Sequence, residues 1–73
     1  MQGKCIGLFR GTSKSGRQYR VATMIYDNPP DRGFGCRSEE VFLPDSAPDP
    51  ILNRMYLWSY NKNRFCDSFI EIK

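Results

Sequence analysis

Apolar and polar residues alternate in short runs along this chain, and turn-forming residues separate the runs. Over residues 4–10, Ile6 and Leu8 fall on one side and Cys5 and Phe9 on the other. Residues 18–27 are rich in β-branched and aromatic types, with Tyr19, Val21, Thr23 and Ile25 on one face and Arg20, Met24 and Tyr26 on the other. A period of two marks half-buried strands. The connection over residues 11–18 exceeds the favoured two-residue turn, which predicts a loop that projects from the sheet. Pro29, Pro30 and Gly33 then break the pattern. A third strand over residues 35–43 sets Cys36, Ser38, Glu40 and Phe42 against Arg37, Glu39, Val41 and Leu43. Neither face is cleanly apolar, and a bulge near Glu39 and Glu40 is expected to repair the alternation.

Pro44, Pro48 and Pro50, with Asp45 and Asp49, rule out a central strand over residues 44–50 and leave room for one helical turn at residues 50–53. The fourth strand, residues 54–60, puts Met55 and Leu57 opposite Tyr56, Trp58 and Tyr60. A tight polar turn at residues 61–64 leads to a last strand over residues 65–73, with Cys66, Ile70 and Ile72 opposite Phe65 and Phe69. Five short strands must close on themselves or leave long exposed edges. The expected fold is therefore all-β: a small five-stranded OB-like Greek-key barrel with little or no helix, or an SH3-like barrel.

A chain of 73 residues is one domain at most. A domain of this size buries only about 60% of the surface of its unfolded chain, which leaves no deep catalytic cleft. There is no histidine, so Ser–His and Cys–His nucleophile pairs are excluded. Glu39 and Glu40 are adjacent on a strand and point to opposite faces. The expectation is no enzyme, no cofactor and no small-molecule substrate. Cys5, Cys36 and Cys66 are odd in number and widely spaced, which argues against a disulfide framework or a zinc site and for three buried small residues. Residues 1–10 hold an apolar run too short for a signal-peptide core, and no run approaches the roughly 20 apolar residues of a membrane span. These point to a soluble cytoplasmic protein without a membrane partner.

Charge is uneven along the chain. Residues 1–26 carry Lys4, Arg10, Lys14, Arg17 and Arg20 and no acid, whereas six of the eight acids fall in residues 27–50. A block of one sign hints at a polyanionic partner. In OB folds, nucleic acid lies across strands 2 and 3, flanked by the loops joining strands 1–2 and 4–5. Both loops are basic here: Lys14 and Arg17 in the first, Lys62 and Arg64 in the second. Single-strand binders add rings on which bases stack. Tyr19, Tyr26 and Phe34 are the candidates, with Arg20 beside Tyr26 as a phosphate contact, while Phe42, Phe65 and Phe69 read as core. For Arg20 the plain alternative is a surface pair with an acid. Trp58 reads as core or dimer packing ahead of base stacking.

The run SKSGRQYRVATMIYD resembles the projecting DNA-binding arm and following strand of the filamentous-phage single-stranded-DNA-binding, helix-destabilising proteins. The later PDSAPDPILNRMYLWSYNKNRFCDSFIEI is similar to that family's ending: a Pro/Ala-rich link, an alternating Tyr-containing strand, a turn and an apolar last strand. The resemblance implies a five-stranded OB-like barrel and a two-fold homodimer that coats single-stranded DNA cooperatively during replication in a bacterial host, without a cofactor. By position, Lys14, Ser15, Gly16, Arg17 and Tyr19 match the arm, and Tyr26 and Phe34 match stacking aromatics further along. The family's last hairpin is long and helps to form its dimer, whereas residues 61–64 are short and free to touch nucleic acid. Two other readings stand beside this one. One is a β-barrel adaptor that binds a protein through Tyr56, Trp58 and Tyr60, since aromatics are favoured hot spots. The other is an RNA-binding OB module.

Overall fold

The computed structural model of the chain describes residues 1–72, with only the backbone at Pro30. It is all-β. Five antiparallel strands, β1 (Gln2–Thr12), β2 (Gln18–Asp27), β3 (Cys36–Phe42), β4 (Met55–Tyr60) and β5 (Cys66–Glu71), form one sheet in the order β3-β2-β1-β4-β5. The expected last strand reached Lys73, which lies outside the described residues. Among the described residues the one helical turn, Pro30–Arg32, falls in the Pro-Pro breaker. At residues 51–54 the chain makes a turn instead, with the Arg54 amide donating to the Ile51 carbonyl at 3.3 Å and Asn53 at φ 68°. Asparagine tolerates that left-handed conformation better than most residues.

β1 is central. It pairs with β2 along most of its length, and through Gln2, Gly3 and Lys4 with Leu57, Tyr56 and Met55 of β4. β3 and β5 are the edges, and among the described residues no ladder joins them. The sheet curls without closing, which corrects the expectation of a closed barrel. Side chains span the gap. The Glu39 carboxylate on β3 accepts hydrogen bonds from Trp58 Nε1 at 3.1 Å and the Tyr60 hydroxyl at 2.8 Å, both on β4. Val41, Leu43, Trp58, Cys66 and Phe69 belong to one core cluster, so both ends of the sheet fold over the same interior.

Two bulges set which residues face that interior. In β1, Cys5 pairs with Met24 and Gly7 with Thr23, leaving Ile6 without a partner. The extra residue inverts the alternation, so Cys5 and Leu8 both face inward and Phe9 faces out. In β5, Ser59 pairs with Ser68 and Tyr60 with Cys66, so Asp67 is the extra residue and Cys66 and Phe69 are both buried. The bulge expected at Glu39 and Glu40 is absent, since the β2–β3 register runs unbroken from Cys36 to Phe42. The inward side of β3 tolerates Glu39 because its carboxylate has two donors, and a buried polar group with partners loses little.

Tyr56 and Phe69 stack at 4.8 Å in the core, and the Tyr56 hydroxyl accepts the Ile51 amide at 2.7 Å. Trp58 is only 1% exposed. Its indole passes so near Gly3 that a Cβ there would lie 3.2 Å from the ring and 2.5 Å from the Ile25 carbonyl oxygen. Cys5 and Cys66 are buried as expected, but Cys36 is exposed on the open edge of β3. No helix among the described residues is long and apolar enough to cross a membrane.

Candidate nucleic-acid interface

The β1–β2 connection is shorter than its sequence suggests. Pairing continues to Thr12 and Gln18, leaving five residues. The Gly16 amide donates to the Ser13 carbonyl at 2.9 Å, the Ser13 amide to the Arg17 carbonyl at 2.8 Å, and Gly16 sits at φ 84°. This is a turn followed by a left-handed residue, a common way to end a three-residue hairpin loop. The Ser13 hydroxyl accepts the Arg17 amide at 3.2 Å and shares a hydrogen bond with Ser15 at 2.9 Å. The expected long projecting arm is thus a compact tip that presents Lys14, Ser15 and Arg17 to solvent.

The β4–β5 tip has the same backbone. The Arg64 amide donates to the Asn61 carbonyl at 2.9 Å, the Asn61 amide to the Phe65 carbonyl at 2.8 Å, and Arg64 sits at φ 66°. Asn61 Oδ1 accepts the Asn63 and Phe65 amides at 2.9 and 3.1 Å. Lys14 and Lys62 occupy the same place in the two turns, and Arg17 and Phe65 close them. Those two closing residues line one open depression of about 400 Å³, together with Tyr19, Phe42 and Pro44. The tips therefore meet on one rim.

Rings flank this rim on the outer side of the sheet. Phe9 and Phe42 both lie opposite Val21 in the register, and Tyr19 stands between them two residues nearer the tip. Tyr19 is stacked on Phe42 at 5.9 Å and 25°, and tilted against Phe9 at 6.4 Å and 47°. Its ring lies across Gly11, where a Cβ would come within 2.5 Å of it. Phe9 is 62% exposed, Phe42 60% and Phe65 68%. Phe42 and Phe65 were expected in the core, and of that trio only Phe69 is there. The missed signal was in β2. Once Ala22 and Met24 are the inward face, Tyr19 and everything paired beside it must face out.

Arg20 is not free for phosphate. Its guanidinium donates to Asp49 Oδ1 at 2.9 Å and to the Pro44 carbonyl at 2.8 Å. Arg10 also pairs with Asp49. Arg20 foremost, then Arg10, hold the Asp49 carboxyl below its ordinary range. This cluster ties the Pro-rich link to β1 and β2. Among the described residues Arg17 has one loose ionic neighbour, Asp45 at 3.6 Å, with both side chains mostly exposed. Such a pair contributes little and exchanges readily.

Tyr26 and Phe34 sit apart from this rim. Tyr26 is on the inward face of β2, edge-on to Trp58 at 6.5 Å and half-buried against the core. Seven residues of strand, roughly 23 Å, separate it from Tyr19. Phe34 is 95% exposed in the turn before β3, where its carbonyl accepts the Asn28 side-chain amide at 3.1 Å. The site residues expected from sequence thus divide: Lys14, Ser15, Gly16, Arg17, Tyr19, Lys62 and Arg64 gather at one end, Tyr26 and Phe34 lie at the other, and Arg20 is occupied. Comparison of the chain with family models, with curated proteins and with solved structures returns no match.

Proposed function

We propose that the protein binds single-stranded DNA with little sequence preference and thereby destabilises duplex. The observation that carries this reading is the juxtaposition of rings with acid-poor hairpin tips: exposed Phe9 and Phe42 and half-buried Tyr19 beside the Lys14–Arg17 tip, with Phe65, next to Arg64 in the second tip, lining the same depression as Arg17. Cations that neutralise phosphates release counterions, which drives binding whatever the sequence. Exposed rings offer a face to any unpaired base, at about 1–3 kcal/mol per base. A ligand that prefers the unpaired form pulls melting toward single strands by mass action.

The adaptor alternative keeps one of its three rings at the surface: Tyr56 and Trp58 are 5% and 1% exposed and lie in the core, while Tyr60 is 39% exposed. The homodimer belongs to the same proposal as the DNA reading. Leu57 and Ile70, cross-strand partners left exposed on the outer face of β4–β5, support it. A fluorescently labelled oligo-dT titrated with the protein at about 50 mM salt tests the main reading. Saturable binding, displaced by unlabelled single strand and poorly by duplex, is expected. Absence of binding at that salt contradicts it. Stronger displacement by matched RNA would instead favour the RNA module, since only RNA offers the 2′-hydroxyl.

A further inference from the structure

We infer that Phe9, Tyr19 and Phe42 take one unstacked base each, so that three consecutive nucleotides of a stretched strand form the unit read by one chain. This rests on the single-strand reading above and adds a register to it. The ring centroids are 6.4 and 5.9 Å apart. Bases in a stacked strand rise about 3.4 Å each, close to half that spacing, so a duplex-like strand falls out of step with the row. A strand whose bases are splayed to nearly twice that rise meets one ring per base.

Other features agree. The row crosses β1, β2 and β3, because Phe9 and Phe42 flank the same Val21 and Tyr19 lies between them. The rings already cover Val21, which is 7% exposed, yet Phe9 and Phe42 remain 62% and 60% exposed. Covering the valine leaves most of each ring free, and a contiguous exposed apolar patch marks an interaction site. Its neighbour Arg17 lines the same depression as Tyr19 and Phe42. Asp45 is the one acid in that depression, and Arg17 holds it at 3.6 Å. An incoming phosphate takes that place on the guanidinium. With phosphate contacts at the tips, the footprint falls at the short end of the about 4–16 nucleotides seen for OB folds.

The test compares a short oligo-dT with the same oligomer carrying three consecutive abasic sites, and with a duplex. It uses the intact protein and its Phe42→Leu and Phe9→Leu variants, each checked for native Trp58 fluorescence. The wild type should bind the abasic oligomer about 1,000-fold more weakly than oligo-dT, a loss of ring–base stacking at three positions of about tenfold each. Each leucine variant should shrink that ratio about tenfold. Equal binding of the abasic oligomer overturns the register while leaving backbone-driven single-strand binding intact, and equal binding of duplex overturns the single-strand preference and the register with it. Loss of oligo-dT binding altogether in the wild type overturns the underlying reading and the register with it. Leucine variants that fold natively and keep the full ratio move the stacking away from these rings and overturn the assignment.

Discussion

At Ser13–Arg17 and Asn61–Phe65 the chain reverses with the same pair of backbone hydrogen bonds and a lysine at the same place. The left-handed position is Gly16 in one tip and Arg64 in the other, at φ 84° and 66°. Glycine adopts that conformation freely, whereas a residue with a Cβ pays about 1–2 kcal/mol. One tip is therefore built for conformation and the other carries strain together with a charge. Their supports differ too. The first is fastened by Arg10 and Arg20 on Asp49, the second by Tyr60 on Glu39. In the proposed account Arg64 is kept at a glycine position for its guanidinium, which adds a cation to a rim that already holds Lys14, Arg17 and Lys62.

The comparison can be broken first at the cations. Replacing Lys14 and Arg17 together by alanine should weaken oligo-dT binding at least about tenfold at low salt and flatten the salt slope by about 1.4, since each single-strand phosphate contact contributes about 0.7. Circular dichroism should show the fold unchanged, because neither side chain is buried.

The left-handed position comes next. Arg64→Gly should raise unfolding stability by about 1 kcal/mol in urea while lowering affinity several-fold. Gly16→Ala should lower stability by about as much, since nothing lies within 4 Å of its Cβ position and only the φ resists the change. Equal and opposite shifts would establish the two tips as one turn with different occupants.

A smaller effect separates the turn side chains. Asn61 accepts two backbone amides and Ser13 one. Asn61→Ala should cost about 1 kcal/mol and Ser13→Ala about half of that, read as shifts in the urea midpoint.

The smallest effects should be the pH responses, which run in opposite directions. Asp49 is held below its ordinary value of 3.8 by Arg20 and then Arg10, so its contribution is complete above that value and is lost as the pH falls below it. Tyr60 is pushed from 10.0 up to about 12 by partial burial and by Glu39, so its contribution is complete below 10.0 and is lost as the pH climbs toward 12. Asp49→Asn should remove part of the acid limb of a stability profile, and Tyr60→Phe part of the alkaline limb.

Much of this architecture is legible in the chain. The alternation in β2 and β4, the Pro-Pro and Pro-rich breaks, and the polar run at residues 61–64 place five strands and both hairpins. The outward rings were not legible. In β2 both faces carry apolar residues, Tyr19, Val21 and Ile25 against Ala22, Met24 and Tyr26, so period two finds the strand without saying which side is the core. The bulge at Asp67 has no glycine or proline to announce it, and the one at Ile6 has only Gly7 beside it, yet each inverts the residues beyond it. Capture of Arg20 by Asp49 joins positions 29 residues apart, a distance no local pattern reports. The second tip hides its left-handed residue because Arg64 occupies a place where sequence reasoning looks for glycine.

The central claim is that the two tips and the ring row form one surface for an unpaired strand. Its most direct test is the slope of log affinity for oligo-dT against log salt in the wild-type protein. Four phosphate-facing cations, Lys14, Arg17, Lys62 and Arg64, predict a slope of about −3. A slope near zero, or no measurable affinity at the lowest salt, contradicts the account.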